Sequence, residues 1–308
     1  MREPPVRVGS RGSQLALRQT EEVVAALRRF HPGREFQVCP VRTEGDRRAR
    51  APLSRIGGQG VFVRELEARL AAGEVDLAVH SLKDVPTELA PGLTLAAVPA
   101  REDPRDALVS RGGLRLAELP AGARVGTGSA RRAVQARALR PDLEYVDIRG
   151  NVDTRLRRVR EGSVDAVILA AAGLARLGRL GEASEVLDPE TMLPAAGQGA
   201  LAVEARAGDS EVCALVAPLE HRETRAAVEA ERAFLRRLGG GCRLPVGALG
   251  EVEGPTLRLR AFVADGRGER VLREDLTGSP EEGEALGTRL AEKLLALGAA
   301  EFMAESIR

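Results

Sequence analysis

The chain has 308 residues, 44% of them hydrophobic, and this length predicts two or three domains, each large enough for its own core. The 46 basic and 45 acidic side chains nearly cancel, and 2% of the residues are aromatic, which argues against a nucleic-acid coat, a membrane-surface protein and a base-stacking platform. No apolar run approaches the ~18 residues of a membrane span, and the N-terminal residues lack a signal-peptide pattern. Three scattered cysteines and three separated histidines argue against disulfides and a His-based metal site. We therefore expect a cytoplasmic protein without metal, nucleic-acid or membrane partners.

A repeat organises the first 200 residues. Residues 6–13 and 123–131 each predict a short strand, a Gly/Ser/Thr turn and a helix, and in residues 73–79 and 162–168 a glycine ends a helix before an apolar strand. Further strands are predicted over 36–41 and 143–148, so each half has the order β-α-β-α-β. The predicted fold class is α/β, with two similar domains forming a clamshell whose cleft lies at the carboxyl ends of the strands. A chance likeness between two βαβ units is the alternative.

The remainder predicts a hinge and a third domain. Residues 101–106 are polar and broken by proline, residues 193–199 read as a return crossing, and a strand follows over 200–205. A helix over 222–238, strands over 246–252, 257–264 and 269–275, and a helix over 281–297 predict an α+β module with a small antiparallel sheet. The predicted domains are 1–100 with 200–217, 101–199, and 218–308. Residues 42–60 are charged and glycine-rich, which fits either a disordered loop or a mobile lid.

The two Gly/Ser turns carry groups that suit anions. Backbone N–H groups at a helix N-terminus attract carboxylates or phosphates, and the turns add hydroxyl and guanidinium groups from Arg11, Ser13, Thr127, Ser129, Arg131 and Arg132. Neither turn has Walker or dinucleotide spacing. Ordinary helix caps beside surface arginines would give the same pattern.

Two further stretches place charged groups at strand ends. Ser81, Lys83 and Asp84 follow a strand, where a carboxylate could stabilise a cation or move a proton; a local Lys–Asp pair at a helix start is the alternative. Arg149 ends a strand and Arg155 lies early in the next helix, where a cation opposes the helix dipole and so indicates an anionic ligand, although Asp153 could offset that cost. Arg176 is a weaker candidate of the same type.

Cys242 follows three glycines and precedes Arg243, whereas Cys39 and Cys213 lie in apolar runs. A flexible turn beside a cation favours an accessible thiolate. The thiol could anchor a covalent group, and an inert small residue at a turn is the alternative.

Taken together, these motifs resemble one family, hydroxymethylbilane synthase, also called porphobilinogen deaminase. The matching stretches appear in the family's order, from residue 6 to beyond 245: VGSRGSQLAL, GGQGVFVRELE, DLAVHSLKDVP, REDPRDALVS, VGTGSARR, RGNVDTRL, ILAAAGLARL, LPAAGQGAL and GGGCRLPVG.

The resemblance implies an enzyme that deaminates porphobilinogen and joins four molecules head to tail into hydroxymethylbilane, releasing ammonia. It implies a monomer of three domains, the first two like periplasmic binding proteins. It further implies a covalent dipyrromethane cofactor in thioether linkage to Cys242, and a catalytic Asp84. Contacts to the cofactor are implied for Ser81, Lys83, Asp84, Thr127, Ser129, Arg131, Arg132 and Arg155, and contacts to the substrate for Arg11, Ser13, Arg149, Arg155 and Arg176.

Two positions depart from the family pattern. Gln59 stands where relatives often have lysine, which weakens a cationic role for the predicted lid, and Gly128 replaces a common serine, which removes one hydroxyl donor.

The rival functions are a solute-binding or effector-sensing module, which would need neither a Cys242 anchor nor a third domain, and a phosphate-ester enzyme, for which a carboxylate cluster or a Walker-type lysine is expected.

Overall fold

The computed structural model describes residues 4–41, 63–239 and 245–302. The predicted loop over 42–60, with Gln59, and the predicted anchor Cys242 lie outside these ranges. The chain divides into two compact units, the first within Met1–Glu102 and Ala200–Arg225 and the second within Asp103–Gly199 and Ala226–Arg308. No helix in the described ranges is long and apolar enough to cross a membrane.

The first unit is built on a five-stranded sheet with the order β2-β1-β3-β10-β4. Its strands are β1 (Val6–Arg11), β2 (Phe36–Val41), β3 (Leu77–Ser81), β4 (Leu93–Ala97) and β10 (Leu201–Arg206). The first three are parallel, whereas β10 runs antiparallel to both β3 and β4. The helices are α1 (Gln14–Phe30), α2 (Arg64–Ala71) and α6 (Ser210–Val216).

The faces of this sheet are covered by different helices. Val23 and Leu27 of α1 pack with Val8 and Leu77 in one apolar cluster. Leu66 and Leu70 of α2 pack with Ala78 in another cluster. Because side chains alternate between the faces of a strand, Leu77 and Ala78 are buried on opposite sides.

The second unit repeats this arrangement in a sheet with the order β7-β6-β8-β5-β9. Its strands are β5 (Asp106–Ser110), β6 (Arg124–Gly126), β7 (Glu144–Val146), β8 (Ala166–Ala170) and β9 (Glu185–Val186), and its helices are α3 (Ala130–Leu139), α4 (Val152–Arg160) and α5 (Ala171–Arg176). Strands β6, β7 and β8 are parallel, and β5 is antiparallel to β8. The two sheets therefore share one arrangement of three parallel strands beside an antiparallel strand, and the predicted repeat is confirmed.

The second unit also contains the predicted C-terminal module. Its antiparallel strands are β11 (Val246–Glu253), β12 (Thr256–Ala264) and β13 (Val271–Gly278), and its helices are α7 (Arg222–Arg237), most of which belongs to this unit, and α8 (Gly283–Leu294). Phe234 of α7 and Leu290 of α8 pack with Leu259 of the meander in one core. The predicted α/β class with a small antiparallel sheet is confirmed.

Two glycines show how the repeat was recognisable. Gly73 and Gly162 end matching helices with φ angles of +71° and +72°. This left-handed conformation is strained for residues with a Cβ, which is why glycine stands at both positions.

The two units divide between Glu102 and Asp103, within the segment predicted as a hinge over 101–106, but Asp106 does not belong to a polar connection. Asp106 is fully buried and begins the buried strand β5. The charged residues before it concealed this strand, because a run of five residues is too short to show a period. Strand β4 and helix α6 were not predicted for the same reason, and β13 begins two residues later than expected.

Candidate functional site

In the first unit, the candidate residues follow two neighbouring parallel strands. Val8 of β1 is in register with Leu77 of β3, so the carboxyl ends of these strands lie side by side. Arg11 ends β1 and Ser81 ends β3. Ser13 caps α1, and its hydroxyl accepts a hydrogen bond from the Ala16 N–H at 3.3 Å. The expected Gly/Ser turn therefore lies at the carboxyl edge of the sheet.

Asp84 lies on a short turn directly after β3. Residues Leu82–Asp84 form one 3-10 turn, in which Lys83 and Asp84 are half-buried. The Leu82 N–H donates to the Ala200 carbonyl at 3.0 Å, and Gln19 Nε2 donates to Ser81 Oγ at 2.8 Å. These contacts tie Leu82 to the residue before β10 and Ser81 to α1, at the start of the turn that carries the Asp84 carboxylate.

In the second unit, the matching turn follows β6. Thr127 Oγ1 accepts from the Ser129 N–H at 3.2 Å, and Ser129 caps α3 by accepting from the Arg132 N–H at 3.5 Å. A Cβ on Gly128 would lie 2.9 Å from the Ile148 carbonyl oxygen. A serine here would therefore displace residues 147–149, so the absence of a side chain serves close packing of the turn.

Arg131 and Arg132 are buried on α3, and both bind the Asp106 carboxylate. Arg131 Nη1 donates to Asp106 Oδ2 at 2.6 Å and to the Leu193 carbonyl at 2.7 Å. Arg132 Nε donates to Asp106 Oδ1 at 2.9 Å, and its Nη1 donates to the Ile168 carbonyl at 3.0 Å. The reading of these residues as surface arginines beside a helix cap is therefore wrong, since the side chains are 5% and 7% exposed.

The charges around Asp106 do not balance. Burial alone would raise the pKa of Asp106, but the two guanidinium groups outweigh it and hold that pKa far below its usual range. One carboxylate thus faces two buried arginines. Arg131 Nε is buried without an acceptor among the described residues. Gln198 completes the network by donating from Nε2 to Asp106 Oδ1 at 2.9 Å and to the Pro104 carbonyl at 2.7 Å.

Two more arginines add positive charge near Arg132. Burial, together with the neighbouring Arg132 and Arg149, lowers the pKa of Arg155 to about 10. Arg155 Nε donates to the Gly150 carbonyl at 2.9 Å. Arg149 Nε is buried without an acceptor in the described ranges, 3.7 Å from Asp147 Oδ2. Arg176 lies at the end of α5, where its Nη2 donates to the Gly199 carbonyl at 3.0 Å.

Comparison with known proteins identifies the family. Residues 6–214 match the family model "Porphobilinogen deaminase, dipyromethane cofactor binding domain", and residues 225–296 match "Porphobilinogen deaminase, C-terminal domain". The chain belongs to the porphobilinogen deaminase family. It is 53% identical over 297 residues to a porphobilinogen deaminase of Roseiflexus sp. (strain RS-1), covering 96% of this chain and 98% of the relative. It is 54% identical over 299 residues to that of Roseiflexus castenholzii (strain DSM 13941 / HLO8), with the same coverage.

Among solved structures, the periplasmic aliphatic sulphonate binding protein SsuA from Escherichia coli is similar at a TM-score of 0.39 and 14% identity, over 77% of this chain and 71% of that one. The family assignment rests on the sequence matches. As a porphobilinogen deaminase, the chain is an enzyme, a transferase, and its family carries a dipyrromethane cofactor.

The residues of the second unit fit that cofactor. A dipyrromethane made from two porphobilinogens carries acetate and propionate groups, so its protein partner must offer cations and N–H donors. The porphobilinogen deaminase fold supplies Arg131, Arg132, Arg149 and Arg155 with one buried counter-carboxylate, and two of the buried Nε groups lack acceptors among the described residues. Such forks bind carboxylates in bidentate geometry.

Sequence reasoning missed three residues that build this site. Asp106 and Gln198 lie in the quoted stretches REDPRDALVS and LPAAGQGAL, and Gln19 follows VGSRGSQLAL. A carboxylate and two amides carry no spacing pattern that would mark them as partners of buried arginines. Their role appears once the fold brings distant segments together.

Proposed function

We propose that this porphobilinogen deaminase acts as a hydroxymethylbilane synthase in haem biosynthesis, with Asp84 as the catalytic carboxylate and the arginines of the second unit as binders of pyrrole carboxylates. Four porphobilinogen molecules are deaminated and joined head to tail, and ammonia is released. The observation that carries this proposal is the excess of buried positive charge around Asp106.

The cofactor is proposed to be held by one thiol and several polar groups. The bound dipyrromethane supplies a tethered pyrrole end on which the chain is extended. Cys242 anchors it through a thioether, which keeps the growing product from diffusing away between additions. Ser81, Lys83, Asp84, Thr127, Ser129, Arg131, Arg132 and Arg155 contact it.

Asp84 is proposed to act on charge and protons. When ammonia leaves porphobilinogen, positive charge develops on the substrate pyrrole, and an ionised carboxylate fixed beside the ring N–H stabilises it. The same carboxylate assists removal of the proton that the attacking ring carbon must lose. The hydrogen bonds at the start of the Leu82–Asp84 turn support this role, because they restrict its position before substrate arrives.

Arg11, Ser13, Arg149, Arg155 and Arg176 are proposed to bind the substrate's acetate and propionate groups. Each addition brings further carboxylates, so the protein needs more cations than one cofactor requires. Partial desolvation supports this assignment for Arg155, since a buried guanidinium gains more from an anion than one in water does.

Four further assignments complete the proposal. The enzyme is a cytoplasmic monomer that does not bind nucleic acid. Its domains are 1–100 with 200–217, 101–199, and 218–308, the last carrying Cys242.

Replacement of Cys242 tests the proposal most directly. Intact-mass measurement of the wild type should show the added mass of one dipyrromethane per chain, and Ehrlich's reagent should give a pyrrole colour with the purified protein. Cys242→Ser should lose both signals. Cys39→Ser and Cys213→Ser are matched controls, because both cysteines are half-buried and free. Added mass that disappears with Cys39 or Cys213 instead would refute the anchor.

A further inference from the structure

Two titratable side chains of the first unit are buried together and have no role in the reaction proposed above. His80 on β3 and Glu204 on β10 are 4% and 0% exposed. His80 Nε2 lies 3.2 Å from Glu204 Oε2, and neither Glu204 oxygen accepts a hydrogen bond from the described residues. The two side chains therefore meet in the interior of the first unit.

A second acid, Glu67, interacts electrostatically with this pair. Glu67 on α2 is 7% exposed. Burial raises the pKa of Glu67, and the Glu204 carboxylate raises it further, whereas His80 and Arg64 act in the opposite direction. Glu67 is thus biased towards its neutral form. A polar group buried away from water is costly unless it has a partner, and His80 lies 3.2 Å from Glu204 in the described part of the chain.

The His80–Glu204 pair links β3 to β10 near the point where the chain leaves β3 for the turn that carries Asp84. His80 is in register with Ala202 and Ser81 with Leu201, and the next residue, Leu82, donates its N–H to the Ala200 carbonyl. The His80–Glu204 contact thus joins β3 to β10 immediately before the turn that carries Asp84. A shift of β3 along β10 would move that turn with it.

Stability alone does not account for the pair. Apolar residues of similar volume often replace a buried ion pair without loss, because they avoid the cost of desolvating two charges. What a buried polar pair adds is a defined distance and orientation between its two strands.

We propose that His80 and Glu204 are positioning residues that fix the end of β3 against β10 and so set the place of the Asp84 carboxylate. Neither touches substrate. This inference rests on the proposed role of Asp84.

The test measures turnover of the cofactor-loaded enzyme. His80→Gln and Glu204→Gln should each lower kcat by about 10- to 100-fold, the cost of a small misplacement of a catalytic group, while KM stays within about twofold because the substrate-binding arginines are unchanged. The double variant should be no slower than the slower single variant, because both changes break one link. Intact mass should still show one dipyrromethane per chain.

Two controls separate positioning from general damage. Glu67→Gln should keep kcat near that of the wild type, since Glu67 is already biased towards a neutral side chain. His31→Gln changes a histidine of the same unit whose Nε2 contacts the Leu215 carbonyl, and it should also keep kcat.

Several results would overturn the inference. It fails if both single variants keep kcat within about twofold of the wild type, or if their effects multiply in the double variant. If a single variant does not fold, the double replacement His80→Met with Glu204→Met removes both charges, and wild-type kcat in that protein contradicts positioning. Asp84→Asn separates the two proposals: if it retains turnover, the assignment of Asp84 is wrong, whereas if it is inactive while the His80 and Glu204 variants are not, the inference alone fails.

Discussion

The two five-stranded sheets arrange their parallel strands alike, but the residues that follow those strands differ in chemistry. After β1 and β3, the first unit places one carboxylate, Asp84, on a turn fixed by backbone hydrogen bonds. After β6 and β7, the second unit gathers arginines around a single buried carboxylate, Asp106. One scaffold can thus carry either a carboxylate proposed to stabilise a cation or a set of arginines proposed to bind anions, and the residues at the strand ends decide which.

The contrast between the two units would be contradicted most directly if the Asp84 carboxylate of the first unit were dispensable. Asp84→Asn keeps the size of the side chain and removes its charge, so turnover should fall by about 10²- to 10⁴-fold. Cofactor content and the unfolding temperature should change little. Steady-state assay of hydroxymethylbilane formation and intact-mass measurement check these two expectations. Turnover close to that of the wild type would exclude Asp84 as the charge-stabilising group.

Replacing Asp106 should lower the free energy of unfolding. Asp106→Asn leaves two buried guanidinium groups without a counter-charge, and breaking such a pair costs about 3–5 kcal/mol of unfolding free energy. Chemical denaturation measures this loss. Asp142→Asn is the matched control, because Asp142 pairs with Arg140 at the surface and its loss should have a much smaller effect.

Asp106 also predicts a pH dependence. Its pKa is lower in the folded protein than in the unfolded chain, so its stabilisation is complete above the unfolded value of about 4 and is lost as pH falls through the lower folded value. Unfolding free energy measured down to pH 3 should therefore decrease less steeply in Asp106→Asn than in the wild type. Parallel curves for the two proteins would contradict the coupling to Arg131 and Arg132.

The arginines of the second unit should affect chain growth. Arg149→Leu or Arg155→Leu removes a charge-assisted contact worth about 1.5–3 kcal/mol, which corresponds to roughly 10- to 100-fold weaker binding of a pyrrole carboxylate. Mass spectrometry of the enzyme during turnover should then show shorter bound chains accumulating. Arg157→Leu, an exposed position on the same helix, should leave elongation unchanged. Equal chain lengths in all four proteins would make Arg149 and Arg155 structural residues.

The smallest effect is expected at Gly128. Gly128→Ser introduces the serine common in relatives, but its Cβ would lie 2.9 Å from the Ile148 carbonyl oxygen, next to Arg149. Overpacking of this kind costs about 1–3 kcal/mol, and KM should rise several-fold as Arg149 shifts. Gly181→Ser, where the added Cβ meets no atom within 4 Å, is the control. A lower KM in Gly128→Ser would show instead that the lost hydroxyl limits binding.

The sequence predicted the repeat because long apolar patterns and two helix-ending glycines carry a local signal. Strand β2 has the predicted bounds, and α7 ends one residue earlier than predicted. The candidate residues at both edges followed from strand order and from the family motifs. The partners of these residues did not follow, because the contacts of Asp106 with Arg131 and of His80 with Glu204 join segments far apart in the chain. A polar residue at the start of a short strand is typical of a loop in the sequence, and only the tertiary structure shows that it is buried.

The place of β10 in the first sheet constrains how the protein is made. This strand lies between β3 and β4, yet it begins at Leu201, after all the strands of the second sheet. While the chain emerges from the ribosome, the facing edges of β3 and β4 therefore remain unpaired until β10 has been synthesised. A nascent chain stalled before residue 201 can complete the strands of its second sheet but not those of its first, and during that interval the facing edges of β3 and β4 are open to pairing with other chains.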